Sequence, residues 1–322
     1  MTWLVTGGAG YIGAHVVRAL LDAGEQVVVV DDLSSGLRRK VPDQVVLVEA
    51  DVRDRDALAR ALTTHRVEGV VHLAAKKAVA ESVAQPMQYY RENVDGVLSL
   101  VEAMTDAGVS RIVFSSSAAV YGSPDTDFVR EETPTIPMSP YGGTKLVGEW
   151  AIRDATTAYG LTAIALRYFN VAGAGAADLG DTGANNLIPM VLRAYSNGQR
   201  PQVFGADYST ADGSCIRDYI HVADLADAHV IAAQRLASET TPWSVYNIGR
   251  GVGSSVFEVM DSVGAAIGEP LNPEVVQRRA GDPARIVASA EAARAGLGWS
   301  ATRDLDDMVT SAWSAWQQYP PS

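Results

Sequence analysis

The sequence predicts an α/β fold built on a doubly wound parallel sheet, joined to a smaller C-terminal domain. Three observations carry that prediction. The chain opens on the apolar run Trp3-Leu4-Val5, which leads into the glycine-rich turn Thr6-Gly7-Gly8-Ala9-Gly10-Tyr11-Ile12-Gly13. Short apolar strands then alternate with amphipathic helical stretches as far as Asn170, the pattern of parallel strands joined by right-handed helical crossovers. After Asn170 the alternation gives way to a glycine-rich loop, residues 171–186.

Each element has its own signal. A helix over 11–23 leaves the first turn and is stopped by Gly24, a residue that accepts the left-handed backbone of a helix end. Gln26-Val27-Val28-Val29-Val30 is apolar without interruption after its first residue, as a strand covered on both faces must be, and it ends at Asp31-Asp32. Residues 45–50 form a third strand, 54–65 a polar helix, and 69–73 a fourth strand that ends at Ala74-Ala75. A helix is expected over 87–107, and a fifth strand over 111–114 that runs into Ser115-Ser116-Ser117. Pro134, Pro137 and Pro140 mark a loop, from which a helix extends to about Tyr159 and a sixth strand covers 161–167. A helix over 229–236 and a strand over 244–248 return the chain to the sheet. The expected domains are therefore 1–170, completed by about 218–248, and a smaller mixed α/β domain over 171–322.

Composition narrows the class. With 322 residues, 47% of them hydrophobic and 20% charged, the chain can bury a full core. A formal net charge of −12 argues against nucleic acid or an anionic membrane as partner. The lone cysteine, Cys215, excludes an intramolecular disulfide, and the five histidines have no metal-site spacing, so no metal is expected. No basic leader precedes the first strand, and no apolar run reaches the roughly 18 residues of a membrane span. A cytoplasmic protein is expected.

Ligands of such sheets bind outside the carboxyl ends of the strands. Gly7, Asp31, Asp51, Ala74 and residues 115–117 occupy those positions. Gly7, Gly10 and Gly13 remove the side chains that would block a pyrophosphate from a helix N-terminus, where unpaired N–H groups and the helix dipole favour an anion. Their Gly-x-x-Gly-x-x-Gly spacing is weak evidence alone. Asp31, 18 residues beyond Gly13, stands where a carboxylate accepts the adenosine ribose hydroxyls, which favours NAD over the 2′-phosphorylated cofactor; Arg38 and Arg39 are the nearby residues that would favour the latter.

Tyr141-Gly142-Gly143-Thr144-Lys145 sets a tyrosine and a lysine at i and i+4, on one helix face. A phenol with a pKa of ~10 must shift by about 3 units, or ~4 kcal/mol, to serve as a base near neutrality. An adjacent ammonium and a nicotinamide cation both push in that direction. Ser117 at the end of strand five is placed to share the same substrate proton.

The glycine turn, Asp31, Ser117 and the Tyr141/Lys145 pair together resemble the extended short-chain dehydrogenase/reductase family. The segments Lys77-Ala78-Val79-Ala80-Glu81-Ser82, Ser115-Ser116-Ser117-Ala118-Ala119-Val120-Tyr121-Gly122, Leu166-Arg167-Tyr168-Phe169-Asn170, Asn185-Asn186-Leu187-Ile188-Pro189 and Arg217-Asp218-Tyr219-Ile220-His221-Val222 are similar to its UDP-sugar 4-epimerase branch, in the same order. The resemblance implies a Rossmann-type domain holding NAD. It also implies interconversion of UDP-glucose and UDP-galactose: Tyr141 and Ser117 remove the C4 hydroxyl proton as a hydride leaves C4, the 4-keto sugar turns, and the hydride returns on the other face. Lys145 would bind the cofactor ribose and bias the tyrosine.

Carried over residue by residue, the resemblance places Gly7, Gly10, Tyr11, Ile12, Gly13, Asp31, Asp32, Asp51, Val52, Leu73, Ala74, Ala75, Lys77, Asn93, Ser115, Tyr141, Lys145 and Tyr168 on the cofactor. It places Lys77, Ser117, Tyr141, Phe169, Asn170, Asn186, Leu187, Gln202, Phe204, Arg217, Arg279 and Asp282 on the UDP-sugar. It further implies a homodimer, in which the helices over 87–107 and 141–160 pair as a four-helix bundle. Blander readings stand beside these. Asp51 is equally well placed to cap the helix ahead of Asp54, Lys77 to be a solvated lysine, and Arg279 to be a surface arginine. His72 reads as a core histidine, and Tyr121 and Glu81 as structural.

Two departures from the family pattern matter. Gly143-Thr144 replaces a frequent Lys-Ser between the tyrosine and the lysine, and Ile286 stands where a large tyrosine or small cysteine gates sugar size, leaving acceptance of an N-acetyl group open. A 4,6-dehydratase would carry an Asp-Glu pair where Ala118-Ala119 follow Ser117. A UDP-uronate or UDP-pentose 4-epimerase would keep the same triad, and a silent NAD sensor would have lost Tyr141 or Lys145.

Overall fold

A computed structural model describes residues 1–183, 186–279 and 282–320. In chain order, β1 (Thr2–Thr6), α1 (Tyr11–Asp22), β2 (Gln26–Asp31), β3 (Val46–Glu49), α2 (Arg55–Thr64) and β4 (Gly69–His72) are followed by α3 (Val79–Ala84) and α4 (Pro86–Tyr89). A π-helical turn (Tyr90–Val94) leads into α5 (Asp95–Ala107), and then come β5 (Arg111–Ser117), α6 (Pro140–Tyr159) and β6 (Thr162–Tyr168). The remainder is β7 (Asn170–Ala172), α7 (Leu187–Ser196), β8 (Gln202–Phe204), β9 (Ile216–His221), α8 (Val222–Leu236), β10 (Trp243–Ile248), β11 (Gly253–Ser255), α9 (Val256–Ile267), β12 (Glu274–Val276), β13 (Arg285–Ile286), α10 (Glu291–Leu297) and α11 (Leu305–Gln318).

The chain forms two compact units, one of residues 1–122, 135–167 and 226–246, the other of 123–134, 168–225 and 247–322. The first is organised on a seven-stranded sheet of order β10-β6-β5-β4-β1-β2-β3, and the pairings of β1 with β2 and β4, of β2 with β3 and of β4 with β5 are parallel. The order reverses between β1 and β4, the topological switch at which such sheets bind ligands. There Thr6 pairs with Val30 on one side and His72 on the other, so the glycine turn, Asp31 and Ala74 leave the sheet together. Gly69 is required at the start of β4, because a Cβ there would lie 2.3 Å from the Trp3 ring. One layer of the core joins Leu58 and Leu62 of α2, Leu100 and Met104 of α5, Phe114 and Ile152, each buried side chain contributing on the order of 2 kcal/mol.

The second unit is built around β9, antiparallel to β11 and parallel to β7 and β13, with β8 and β12 as a separate parallel pair. Its core packs α7, α9 and α11 through Ile188, Leu192, Val259, Val263, Met308 and Trp316. Reciprocal capping boxes, Ser255 with Glu258 and Asp304 with Asp307, fix the starts of α9 and α11.

The structure departs from the expected elements in three places. The stretch expected as one helix over 87–107 is broken by the π-helical turn. The helix expected from 229 begins at Val222, where Val222 and Leu225 are buried and the buried Asp224 is held by Thr302 and Arg303. The fifth strand runs through all three serines.

Candidate active site

In the first unit, Ser139 caps α6 through its hydroxyl and Pro140 occupies the first turn, a preorganised start for the helix that carries Tyr141 and Lys145. Gly142 is necessary, since a Cβ there would approach the Ala119 carbonyl oxygen to 2.4 Å. Tyr141 is buried, and Ser117 hydrogen-bonds its hydroxyl. Ser117 Oγ also accepts the Ala119 N–H at 3.2 Å, which leaves its proton for the tyrosine oxygen. Burial raises the Tyr141 pKa and the Ser117 hydrogen bond opposes the rise. The protein alone therefore does not supply the lowered phenol expected from the sequence, because desolvation outweighs its neighbours.

Lys145 is buried, donates from Nζ to the Ser115 carbonyl at 2.9 Å and lies 5.3 Å from the Phe114 ring centroid. Burial pushes its ammonium down to about 8, and the Glu149 carboxylate resists. His72 is a neutral core histidine. Its Nδ1 is 2.7 Å from the Thr6 hydroxyl, it stacks on Phe114, and burial followed by the Lys145 charge lowers its pKa to about 3. Tyr121 contacts Arg167, and Glu81 accepts from the Tyr89 hydroxyl, both structural arrangements.

The glycine turn is tight at the backbone level. Gly7 has φ +72°, and a Cβ on it would lie 2.8 Å from the Ala74 nitrogen; one on Gly13 would lie 2.0 Å from the Gly7 oxygen. Gly10 is the N-cap of α1, and no side chain caps that helix. Asp31 is buried and accepts the Ala9 and Leu33 N–H groups, both at 2.9 Å, with its pKa raised by burial. Tyr11 packs edge-on to His15, with the Lys77 ammonium 5.8 Å from its ring; Ile12 and the Leu73-Ala74-Ala75 run are partly buried, and Lys77 is exposed. Asp32 accepts from Ser34.

Three residues placed on the cofactor from the sequence are occupied by protein partners. Asn93 is buried, with its oxygen on the Lys76 N–H and its amide on the Lys76 carbonyl and Thr144 hydroxyl. Ser115 Oγ is 2.9 Å from His229 Nε2. Asp51 is salt-bridged to Arg53, which lowers its pKa, and the cap of α2 is Asp54. The capping alternative for Asp51 is thereby corrected: the chain needs three more residues to turn before the helix starts. Val52 packs against Gly96.

The second unit contains a cavity of about 760 Å³. Asn170, Asn186, Leu187, Gln202, Phe204, Arg217, Arg279 and Asp282 all line it. Phe169 is buried outside the lining, Tyr168 ends β6, and Asn185 lies outside the described residues. Arg217 is oriented by donating to the Ile216 and Pro283 carbonyls at 2.9 and 2.8 Å, with Asp282 at 3.7 Å. The Arg279 guanidinium lies 3.8 Å from the Phe204 ring centroid, a cation–π contact that holds it flat. Asn186 is the N-cap of α7 yet makes no capping bond; its amide goes to Asp181 at 2.6 Å. Cys215, Tyr219 and Arg200 also line the cavity and were missed. Two of them were legible, since Cys215, Arg217 and Tyr219 alternate along β9 and its approach, a period of two that puts them on one face.

Residues 3–249 match the NAD dependent epimerase/dehydratase family. The chain belongs to that family. The epimerase/dehydratase is 47% identical to the UDP-glucose 4-epimerase of Azospirillum brasilense over 98% of this chain and 91% of the relative. Among solved structures it resembles the UDP-glucose-4-epimerase of Stenotrophomonas maltophila with bound NAD and formylated UDP-arabinopyranose (41% identity, TM-score 0.93, covering 99% of this chain and 98% of that one). It equally resembles the Bifidobacterium longum enzyme in complex with NAD+ and UDP (38% identity, TM-score 0.93, covering 100% and 99%). The first unit of this epimerase/dehydratase fits the family's cofactor: an α1 start without a side-chain cap suits a pyrophosphate, and the buried carboxylate of Asp31 suits ribose hydroxyls.

Proposed function

We propose that the chain is a UDP-glucose 4-epimerase that interconverts UDP-glucose and UDP-galactose. The observation that carries the reading is the hydrogen-bonded pair Ser117 and Tyr141, set on the helix of Lys145 and followed by Ala118-Ala119. That set moves the proton of one hydroxyl and offers no carboxylic acid next to the serine for elimination, which weighs against a 4,6-dehydratase. NAD bound at the glycine turn would supply the hydride acceptor and then the donor. Gly7, Gly10 and Gly13 would admit its pyrophosphate, and Asp31 its adenosine ribose. Tyr141 takes the C4 hydroxyl proton, with Ser117 stabilising the phenolate by donation, and returns it after the 4-keto sugar has turned. Lys145 holds its charge beside the tyrosine and its ammonium for the nicotinamide ribose.

The second unit's cavity is read as the uridine diphosphate site. Arg217 and Arg279 are its pyrophosphate forks, and Asn170, Asn186, Leu187, Gln202, Phe204 and Asp282 form its walls. Asn93 and Ser115 act by positioning Lys76-Lys77 and Lys145. Ile286 is in register with Arg217 and is proposed to limit sugar size.

The homodimer is also proposed. Leu98 on α5 and Trp150 on α6 are 45% and 48% exposed, and Val83 and Met87 just before α5 more so, an apolar helical face of the kind that pairs in four-helix bundles. Among the described residues no helix is long and apolar enough to cross a membrane.

The decisive test is incubation of the purified, NAD-loaded protein with UDP-galactose and a coupled assay for UDP-glucose. Formation of UDP-glucose with no net reduction of NAD is expected; absence of interconversion with NAD bound overturns the reading.

A further inference from the structure

Four residues beyond Lys145 on α6 stands Glu149, which the reaction above does not use. It is 3% exposed, and its partners are all protein groups. Arg167 of β6 grips it as a fork, Nε to Oε1 at 2.8 Å and Nη2 to Oε2 at 2.5 Å, while the Ser116 hydroxyl donates to Oε1. Arg167 is itself 6% exposed and donates from Nη1 to the Tyr121 hydroxyl at 2.9 Å. Tyr141, Lys145 and Glu149 thus follow one another at i, i+4 and i+8 on a single helical face.

A buried ion pair is an inefficient way to stabilise a fold, because desolvation consumes most of its Coulomb attraction. Its placement one turn from a buried lysine gives it another use. Burial works against the charge of Lys145, and the groups that favour the charge besides Glu149, the Ser115 carbonyl and the Phe114 ring, are themselves uncharged. Lys145 is buried, its hydrogen-bond acceptor is a backbone carbonyl, and His72 of β4 is neutral where the lysine titrates. The Phe114 ring lies 5.3 Å away. The other groups that face this region are Tyr141 on α6, Tyr89 on α4, Tyr121 after β5, Arg167 on β6, and His229 on α8, which bonds Ser115. Glu149 is the carboxylate among them.

We propose that Glu149, clamped by Arg167 and Ser116 one helical turn from Lys145, is a positioning residue that keeps the lysine ammonium seated on the Ser115 carbonyl. Glu149 raises the affinity of Lys145 for its proton where burial lowers it. The clamp matters because a free glutamate would reach for the ammonium and pull it off Ser115, whereas one held in a bidentate fork is fixed in place one turn away. The inference rests on the epimerase reading for its catalytic consequence, but its test does not.

The chain has only four lysines, Lys40, Lys76, Lys77 and Lys145, so the ¹³Cε resonance of Lys145 is assignable by comparison with Lys145→Met and can be titrated directly in NAD-loaded protein. Removing a nearby opposite charge shifts such a group by about one unit or more. The Lys145 midpoint in Glu149→Gln is therefore expected about one pH unit or more below wild type, and Glu149→Asp is expected to recover most of the difference. Because Glu149→Gln leaves Arg167 uncompensated, Glu149→Gln with Arg167→Met is measured alongside and is expected to show the same direction. The alkaline limb of kcat for UDP-galactose should move down in step, with KM little changed. A Lys145 midpoint unaltered in either folded variant overturns the proposal; an altered midpoint in a protein with no epimerase activity would support it and remove the functional reading instead.

Discussion

Ser117 Oγ accepts the Ala119 N–H at 3.2 Å and is hydrogen-bonded to the Tyr141 hydroxyl, whose pKa it lowers. The serine keeps its own proton available to the oxygen that must become a phenolate. Tyr141→Phe should lower kcat by about 10³-fold or more and Ser117→Ala by about 10²-fold, with circular dichroism unchanged, since general acid–base groups typically contribute 10²–10⁴. Near-normal turnover in Tyr141→Phe would remove the tyrosine from its role.

The same tyrosine carries a prediction about ligand removal. Stripped of NAD, the protein should keep Tyr141 protonated beyond the ordinary value of 10.0, because burial raises its pKa. A bound nicotinamide cation should bring it down. The ultraviolet difference titration of wild type against Tyr141→Phe, with and without NAD, reads this; ionisation below pH 10 in the stripped protein contradicts it.

Asp31 holds the glycine turn through the Ala9 N–H as well as facing the ligand position. Asp31→Asn should weaken NAD binding by roughly tenfold, about 1.4 kcal/mol, while weakening the 2′-phosphorylated cofactor less, as loss of a negative acceptor predicts. Fluorescence titration with both cofactors measures the ratio, and an equal loss for the two would contradict the ribose assignment.

In the second unit, Arg217→Ala should weaken UDP binding by about 10²-fold, the usual cost of leaving an anion without its paired charge. Arg279→Ala should cost less, since that guanidinium is held by a ring face and not, as in Arg217, by two carbonyls. Calorimetric titration of UDP decides, and affinity unchanged in Arg217→Ala would remove that residue from the site.

His72 and His221 set an acid limit on stability. Burial lowers them from 6.5 to about 3 and about 4. As pH falls below about 6.5 the unfolded chain takes up both protons while the folded chain refuses them. Stability is therefore lost through pH 6.5 to 4, at about 1.4 kcal/mol per pH unit for each fully shifted group, and neither group matters above that window. Urea midpoints measured across it should fall for wild type and fall less for His72→Asn; equal slopes would exclude His72.

The sheet was legible because its strands are uninterrupted apolar runs bounded by glycine or charge, as in Val27 to Asp31, and because Tyr141 and Lys145 keep a spacing with one helical meaning. The π-helical turn was not legible. An extra residue in a helix leaves no mark on a hydrophobic pattern, and the turn is marked only in the structure, where it carries the buried Asn93 bonded to Lys76 and Thr144. Strands β7, β8, β11 and β12, three residues each, are too short for periodicity to register. Glu149 is illegible for a different reason: nothing in a helix sequence distinguishes a buried glutamate from a solvated one until the arginine 18 residues on is seen to meet it.

The run Ser115-Ser116-Ser117 reads as a repeat of one small residue, yet the three hydroxyls go to His229, Glu149 and Tyr141 respectively. They are three separate addresses written in the same letter. A shift of β5 by a single residue would conserve the composition and misdirect every one of them, so the pairing of β5 with β4, His72 opposite Phe114, is what keeps the chemistry in frame. Alanine substitutions along this run should therefore yield three unlike phenotypes, one in each of the groups those hydroxyls serve.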